Sequence, residues 1–107
     1  MRLTAIGKAE ATPAKDSDDL TIARLIAAAS DEDAQACYEL GVIHSTGGHG
    51  LDCDLIEAHQ WFNLAAAKGH QEAAWCRTDI SDEMTAREIA EAQRRARQWM
   101  IEQRKSA

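Results

Sequence analysis

The sequence predicts an all-α fold of about five helices, and three observations support this prediction. Its one proline is Pro13, so every residue from Ala14 to Ala107 carries a backbone N–H group that a helix can use. Apolar residues, many of them alanine, recur at three- and four-residue spacing along the chain. Over residues 34–71, small and large apolar residues alternate on both sides of a glycine-rich turn, which is typical of two closely packed antiparallel helices.

The chain begins with a polar stretch that leads into a first helix. Residues 1–17 show no sustained apolar stripe, which predicts a flexible N-terminal arm. The helix predicted over residues 18–29 carries a stripe of Leu20, Ala23 and Ala27 at three- and four-residue spacing, with the neighbours Arg24 and Leu25. We therefore expect this stripe to face the core. The acidic residues that follow break the stripe and can cap the next helix.

Residues 34–69 are predicted to form a helix pair. The first helix ends near Thr46, at a glycine-rich turn in which a positive φ is expected. Asp54 is a natural N-cap for the second helix, and Glu57 lies three residues later, as in a capping box. Gly69 is expected to end that helix.

The order of residues in this pair resembles the Sel-one-like repeat, a relative of the tetratricopeptide repeat. His44 departs from the family pattern, which has an aromatic residue there, and the turn is one residue longer than the common form. The resemblance implies that residues 18–107 form a short right-handed solenoid that acts as an interaction module, and it implies no reaction. The residues that carry it are Ala36, Leu40, Gly41, Gly47, Gly48, Gly50, Asp54, Ala58, Trp61, Ala65, Ala66, Gly69 and Ala73.

The rest of the chain is predicted to contain a half-repeat and a capping helix. Residues 70–81 look like the first helix of a further repeat that is not completed. Thr85 and Glu88 form a capping box for a last helix over residues 84–104. This helix is expected to fold back and cover the half-repeat. Its apolar stripe consists of Ile89, Ala92, Ala96, Trp99 and Met100.

The charge of the chain is negative overall but unevenly distributed. A net charge of −6 argues against nucleic acid as the main partner. Residues 1–83 carry −9, whereas residues 84–107 carry +3. With no membrane-spanning run and no secretory signal, we expect a cytoplasmic protein. The expected partner is another protein or a second copy in a homodimer, with candidate docking residues Arg94, Arg95 and Arg97.

An enzyme is the alternative from another functional class. His49, Cys53 and His59 lie within eleven residues and are the candidates for a metal-dependent or thiol enzyme, but their spacing matches no CxxC or HExxH pattern. Cys37 and His44 share a helix face but are separated by roughly 10 Å along the axis, too far for a nucleophile and its base. We therefore expect no catalytic residue, no metal and no cofactor.

The three tryptophans, Trp61, Trp75 and Trp99, allow two interpretations. They could stack on bases or sugars, or they could pack in the core. Two of them lie on or beside apolar stripes, and the acidic charge disfavours nucleic acid. Core packing is therefore expected, with each ring burying about 150–250 Å².

Overall fold

The computed structural model describes residues 19–106, and these residues form five α-helices and no strand. The all-α class predicted from the sequence is confirmed for this part of the chain, whereas the predicted arm, residues 1–17, lies outside it. Helix α1 covers residues 19–30. The other helices are α2 (Ala34–Thr46), α3 (Leu55–Ala67), α4 (Gln71–Ser81) and α5 (Ala86–Ser106).

Helix α3 is the centre of the fold, because it packs against α2, α4 and α5. Helix α5 lies on α3 and makes little contact with α4. The prediction that the last helix folds back onto the body is therefore confirmed, although this helix covers α3 and makes little contact with the half-repeat helix α4. Two contacts hold α5 on α3 instead. The Trp99 ring meets Trp61 edge-on with centroids 4.9 Å apart, and Arg95 Nη1 donates to Glu57 Oε2 at 3.0 Å.

The predicted aspartates cap the first helix pair. Asp33 accepts hydrogen bonds from two backbone N–H groups in the first turn of α2, and Asp54 does the same for α3. The predicted capping box at α3 is incomplete, because the Glu57 carboxylate binds Arg95 on α5. The Asp54 N–H donates to the His44 carbonyl at 2.8 Å instead, which joins the turn to the end of α2.

Helices α4 and α5 begin with two different caps. At α4, His70 Nδ1 accepts from the Ala73 N–H at 3.1 Å, and His70 Nε2 lies 2.9 Å from Gln35 Oε1 on α2. At α5, the predicted capping box of Thr85 and Glu88 forms in both directions, at 2.8 and 3.1 Å. The imidazole cap therefore also ties α4 to α2.

Glycines in the left-handed region end α2 and α3. Gly47 has a φ of 75° and Gly69 a φ of 92°, a conformation that glycine adopts at little cost. The N–H groups of Gly69 and His70 complete a Schellman motif at 2.9 and 3.1 Å. Within the turn Gly50 also has a positive φ, 77°, whereas Gly48 does not. The predicted left-handed turn is thus confirmed at two of its three glycines.

The α2–α3 contact is close enough to require a glycine. A Cβ atom on Gly41 would lie 2.5 Å from the Phe62 ring, so the ring occupies the space that a side chain would need. Alanines on α3 and α4 let neighbouring helices approach in the same way. Of the residues that carry the predicted repeat pattern, those that are buried are Ala36, Leu40, Gly41, Ala58, Trp61, Ala65 and Ala73.

The face that α1 buries differs from the predicted one. Leu20 is 50% exposed, and Ala23 and Ala27 are also exposed. Leu25, the predicted neighbour of this stripe, does pack against the core, and Ala29 is buried in it. The prediction is wrong for Leu20, Ala23 and Ala27 because α1 carries apolar residues around most of its circumference, so spacing alone does not select the buried face.

The tryptophans separate into two environments. Trp61 is 5% exposed, which confirms its predicted place in the core, and Trp99 is partly buried against it. Trp75 is 63% exposed, so core packing is wrong for this residue. Met100, predicted to belong to the buried stripe of α5, is also exposed.

Candidate functional site

The arginines predicted as docking residues point in different directions. Arg95 faces α3, where its guanidinium binds Glu57 at 3.0 Å and Glu91 at 2.7 Å. Arg94 binds the same Glu91 carboxylate at 2.6 Å. Hydrogen bonds from Arg94 and then Arg95 lower the pKa of Glu91 to about 2. Among the described residues Arg97 has no acidic partner at ion-pair distance, so it retains a guanidinium for a ligand.

Arg97 lines a groove of about 550 Å³ between α4 and α5, which we call the α4–α5 groove. The groove exists because both helices pack on α3 and make little contact with each other. Alanines from α3, α4 and α5 line the groove, and their short side chains leave space between the two outer helices. Its lining includes Asn63, Ala66, Ala67, Arg77, Arg97 and Met100.

The α4–α5 groove is positively charged. Arg77 lines it from α4 and Arg97 from α5, and no acidic residue belongs to its lining. Arg77 Nη1 donates to Asn63 Oδ1 at 2.7 Å, which holds one guanidinium near α3. A guanidinium donates several hydrogen bonds in a planar fork that fits a carboxylate. Two such groups beside apolar alanine surface suit an acidic segment that also carries an apolar side chain.

A closed circuit of hydrogen bonds joins α3 to α4 beside this groove. Arg77 Nη1 donates to Asn63 Oδ1, so the Asn63 amide turns its NH₂ group to His59 Nδ1 at 3.2 Å. His59 Nδ1 accepts, which places the ring proton on Nε2, 3.1 Å from Ser81 Oγ. Ser81 Oγ in turn donates to the Arg77 carbonyl at 2.7 Å. In the part of the chain that the structure describes, no buried side-chain nitrogen or oxygen lacks a hydrogen-bond partner.

The circuit brings a serine within reach of a histidine, but with the wrong polarity for a nucleophile and its base. A general base must accept the serine proton, whereas His59 donates to Ser81. Burial, and then the charge of Arg77, lowers the pKa of His59, so the ring is held neutral. Reversing the tautomer would break the Asn63 contact. The arrangement positions Arg77 and shows no feature of an activated nucleophile.

The structure does not bring together the residues considered for a metal or thiol site. His59 is buried between α3 and α4, whereas Cys53 is exposed in the turn and donates its S–H to the Ser45 carbonyl at 3.3 Å. His49 is exposed, with a φ of 56°. Within residues 19–106 no group of three or more His, Cys, Asp or Glu residues is placed to hold a metal ion.

The cysteines of the helices have the environment of packing residues. Cys37 is fully buried in the core, and burial raises the pKa of its thiol. Burial also raises the pKa of the Cys76 thiol, with Glu72 and Asp79 adding to the shift. Thiols with raised pKa values carry little thiolate at neutral pH and are weak nucleophiles.

A second groove, of about 680 Å³, lies between the end of α1 and the C-terminal part of α5. Asp31 and Glu32 line it together with Lys68 and Arg104. Lys68 Nζ lies 3.9 Å from Glu32 Oε1, so acid and base partly neutralise each other. Because acidic and basic side chains both line this second groove, its charge does not favour a ligand of either sign. The α4–α5 groove, which is lined by two arginines and no acidic residue, is the better candidate site.

Sequence reasoning placed Arg97 in the docking set but missed two residues that matter. Arg77 shares one face of the half-repeat helix with Ala73 and Ile80, and no binding role was predicted for it. Trp75 was assigned to the core. The signal for Arg77 was present, because a charged residue on an apolar face is normally paired or functional.

No family model, curated protein or solved structure matches this chain. In the part that the structure describes, no helix is both long and apolar enough to cross a bilayer. Function must therefore be inferred from the surfaces of this chain itself.

Proposed function

We propose that the chain is a non-catalytic protein-interaction module, a small adaptor built on one Sel-one-like repeat within a short right-handed solenoid. Its binding site is the α4–α5 groove, which takes an acidic segment of a partner protein. The observation that supports this most strongly is the pair Arg77 and Arg97, which lines a groove without any acidic residue.

The groove is suited to a protein segment more than to a lone ion. Ala66, Ala67 and Ala96 give it apolar surface, and Met100 adds a flexible side chain that adapts to different partners. Its volume of about 550 Å³ exceeds what one carboxylate fills. An acidic residue with an apolar neighbour would use both the charge and the apolar surface.

The proposal is tested by calorimetric titration of the full chain with three short peptides. One is rich in Asp and Glu around a central Trp, one replaces the acids by Asn and Gln, and one replaces them by Lys. We expect the acidic peptide to bind, and more weakly as salt is raised, because exposed charges are screened. Equal binding of the acidic and the amide peptide would contradict the proposal.

Two variants locate the site. Arg97→Glu should weaken binding of the acidic peptide by about tenfold or more, since it removes one guanidinium and adds a repelling charge. Arg87→Glu is the matched control, because Arg87 is an exposed arginine of α5 outside the groove lining. An equal loss in both variants would show that net charge, and not the groove, controls binding.

A further inference from the structure

We infer that the acidic segment bound by the α4–α5 groove is the outer face of α4 in a second copy of this chain, with Trp75 as its anchor. This inference rests on the proposed function, because it names the partner of the same groove. We call the ligand surface, Trp75 with Asp79 and Asp82, the acidic face of α4.

Trp75 lies outside the hydrophobic core of its own chain. It is 63% exposed, the largest exposed fraction among the exposed large apolar residues. Its helix buries Ala73 and turns Cys76 and Ile80 towards the core, so Trp75 stands on the opposite, polar side. Tryptophan is enriched among the residues that dominate binding energy at protein interfaces. An exposed indole on a polar helix face is therefore a natural interface anchor.

The neighbours of Trp75 make this face acidic. Asp79 lies four residues further on, one turn from the indole, and Asp82 caps the helix on the same side, roughly 10 Å from Trp75 along the axis. Both are exposed, and neither has an ion-pair partner among the described residues. They stand at the C-terminal end of α4, where the helix dipole disfavours negative charge, and the last turn has no basic residue. These carboxylates thus do not stabilise the fold, but they would attract a positively charged ligand.

The α4–α5 groove complements this face in charge and in apolar character. Its lining offers Arg77 and Arg97 to the two aspartates, and alanine surface beside Met100 to the indole. Burying the Trp75 indole against alanines removes apolar surface from water. The guanidinium–carboxylate pairs fix the orientation of the bound helix.

A chain cannot make this contact with its own groove. Trp75 and Arg77 are two residues apart in α4, so their side chains leave the helix about 160° apart around its axis. Since Arg77 lines the groove, Trp75 points away from it. The indole can therefore reach only the groove of another copy. Each copy carries both surfaces on opposite sides of α4, so the contact is head-to-tail and leads to a ring or a continuing chain of copies.

Sedimentation velocity of the full chain over a range of concentrations tests the inference, with two variants that each remove one surface. Trp75→Ala removes the anchor, and Arg97→Glu disables the groove. The wild-type chain should associate, and each variant alone should associate at least about tenfold more weakly. An equimolar mixture should recover association, because the Arg97→Glu chain still supplies Trp75 and the Trp75→Ala chain still supplies an intact groove.

Helix content and melting temperature of both variants should match the wild type, since the two residues are exposed. A wild-type chain that stays monomeric at about 1 mM would overturn the inference. Association that survives either substitution, or a mixture that associates no better than its components, would overturn it as well. If the chain is monomeric while acidic peptides still bind through Arg97, the inference fails and the proposed function stands. If acidic peptides and self-association both fail, both are wrong.

Discussion

The two helix pairs of this chain differ in how closely their members pack. In the α2–α3 pair the helices approach so closely that Phe62 fills the space beside Gly41. In the α4–α5 pair the helices both lie on α3 and leave a groove of about 550 Å³ between them. The first pair is a closed core, whereas the second is an open surface.

The difference can be traced to two positions. Counted from Ala36, the fourth and fifth residues along α2 are Leu40 and Gly41, which are buried. Counted from Ala73, the same places along α4 hold Arg77 and Thr78. At these places α4 has a guanidinium where α2 has a core side chain, and a β-branched residue where α2 has the glycine that permits close approach. Helix α4 therefore lacks the small residue that lets α2 pack so closely on α3.

The largest expected effect contrasts a tryptophan of the closed region with one of the open region. Trp61 is 5% exposed and Trp75 is 63% exposed. Trp61→Ala should lower the free energy of unfolding by roughly 3–5 kcal/mol, as for a core aromatic residue. Trp75→Ala, the matched control, should change it by less than about 0.5 kcal/mol. Urea denaturation of both variants at low protein concentration makes the comparison, and equal effects would contradict it.

A second contrast adds the same side chain at corresponding places in α2 and α4. Gly41→Val should destabilise the fold by about 1–3 kcal/mol, because its Cβ would overlap the buried Phe62 ring. Thr78→Val should change stability by about 0.5 kcal/mol or less, since Thr78 is exposed. Thermal melts of both variants test this, and a neutral Gly41→Val would mean that α2 and α3 are not in close contact.

A third contrast uses pH, because the hydrogen-bond circuit that joins α4 to α3 contains a titratable side chain, His59. Burial lowers the pKa of His59 in the folded chain, whereas the unfolded imidazole titrates near 6.5. Below about pH 6.5 the imidazole of the unfolded chain takes up a proton, whereas His59 of the folded chain stays neutral. The contribution of His59 to the free energy of unfolding is therefore fully present above about pH 6.5. It is lost as the pH falls towards the lowered pKa of the folded chain.

Amide hydrogen exchange measured on both sides of this window should show α4 opening at acidic pH before α2 does. His59→Gln should weaken the dependence, because glutamine does not titrate. His49→Gln is the control, since His49 is exposed and outside the circuit. A dependence that survives in His59→Gln would assign it to another group.

The smallest expected effect separates two arginines of α5. Arg95→Ala should lower stability by up to about 1 kcal/mol, because Arg95 binds Glu57 on α3 but remains partly exposed. Arg97→Ala should leave the melting temperature unchanged, since Arg97 is exposed and has no ion-pair partner in residues 19–106. A stability loss at Arg97 alone would show that it belongs to the fold and is not free for a ligand.

Local signals predicted much of the fold. The caps at Asp33 and Asp54 and the glycine stop at Gly69 were predictable because each depends on residues within one turn. Glu57 departs from its predicted capping box because its partner, Arg95, lies 38 residues away. No local spacing reveals such a contact. The buried face of α1 was missed for the same reason, since its neighbours and not its own pattern select that face.

The candidate site was predictable only in part. Arg97 lies in the basic segment of residues 84–107, and this positive charge was the reason to predict a docking role for it. The groove itself depends on where α5 packs, which is a tertiary property, and so the role of Arg77 was missed. Trp75 was assigned to the core because tryptophan usually packs there, although its acidic neighbours Asp79 and Asp82 give its side of the helix a polar character.

The central claim is that the open pair binds Trp75 of a second copy while the closed core takes no part. The three indole N–H signals of a ¹⁵N-labelled chain test it most directly, recorded from about 10 μM to 1 mM. We predict that the Trp75 signal shifts with concentration along one saturable curve, and that the signals of buried Trp61 and of Trp99 beside it shift little. The shift should disappear in Arg97→Glu. A Trp75 signal that does not depend on concentration, or one that moves equally in Arg97→Glu, would contradict the account.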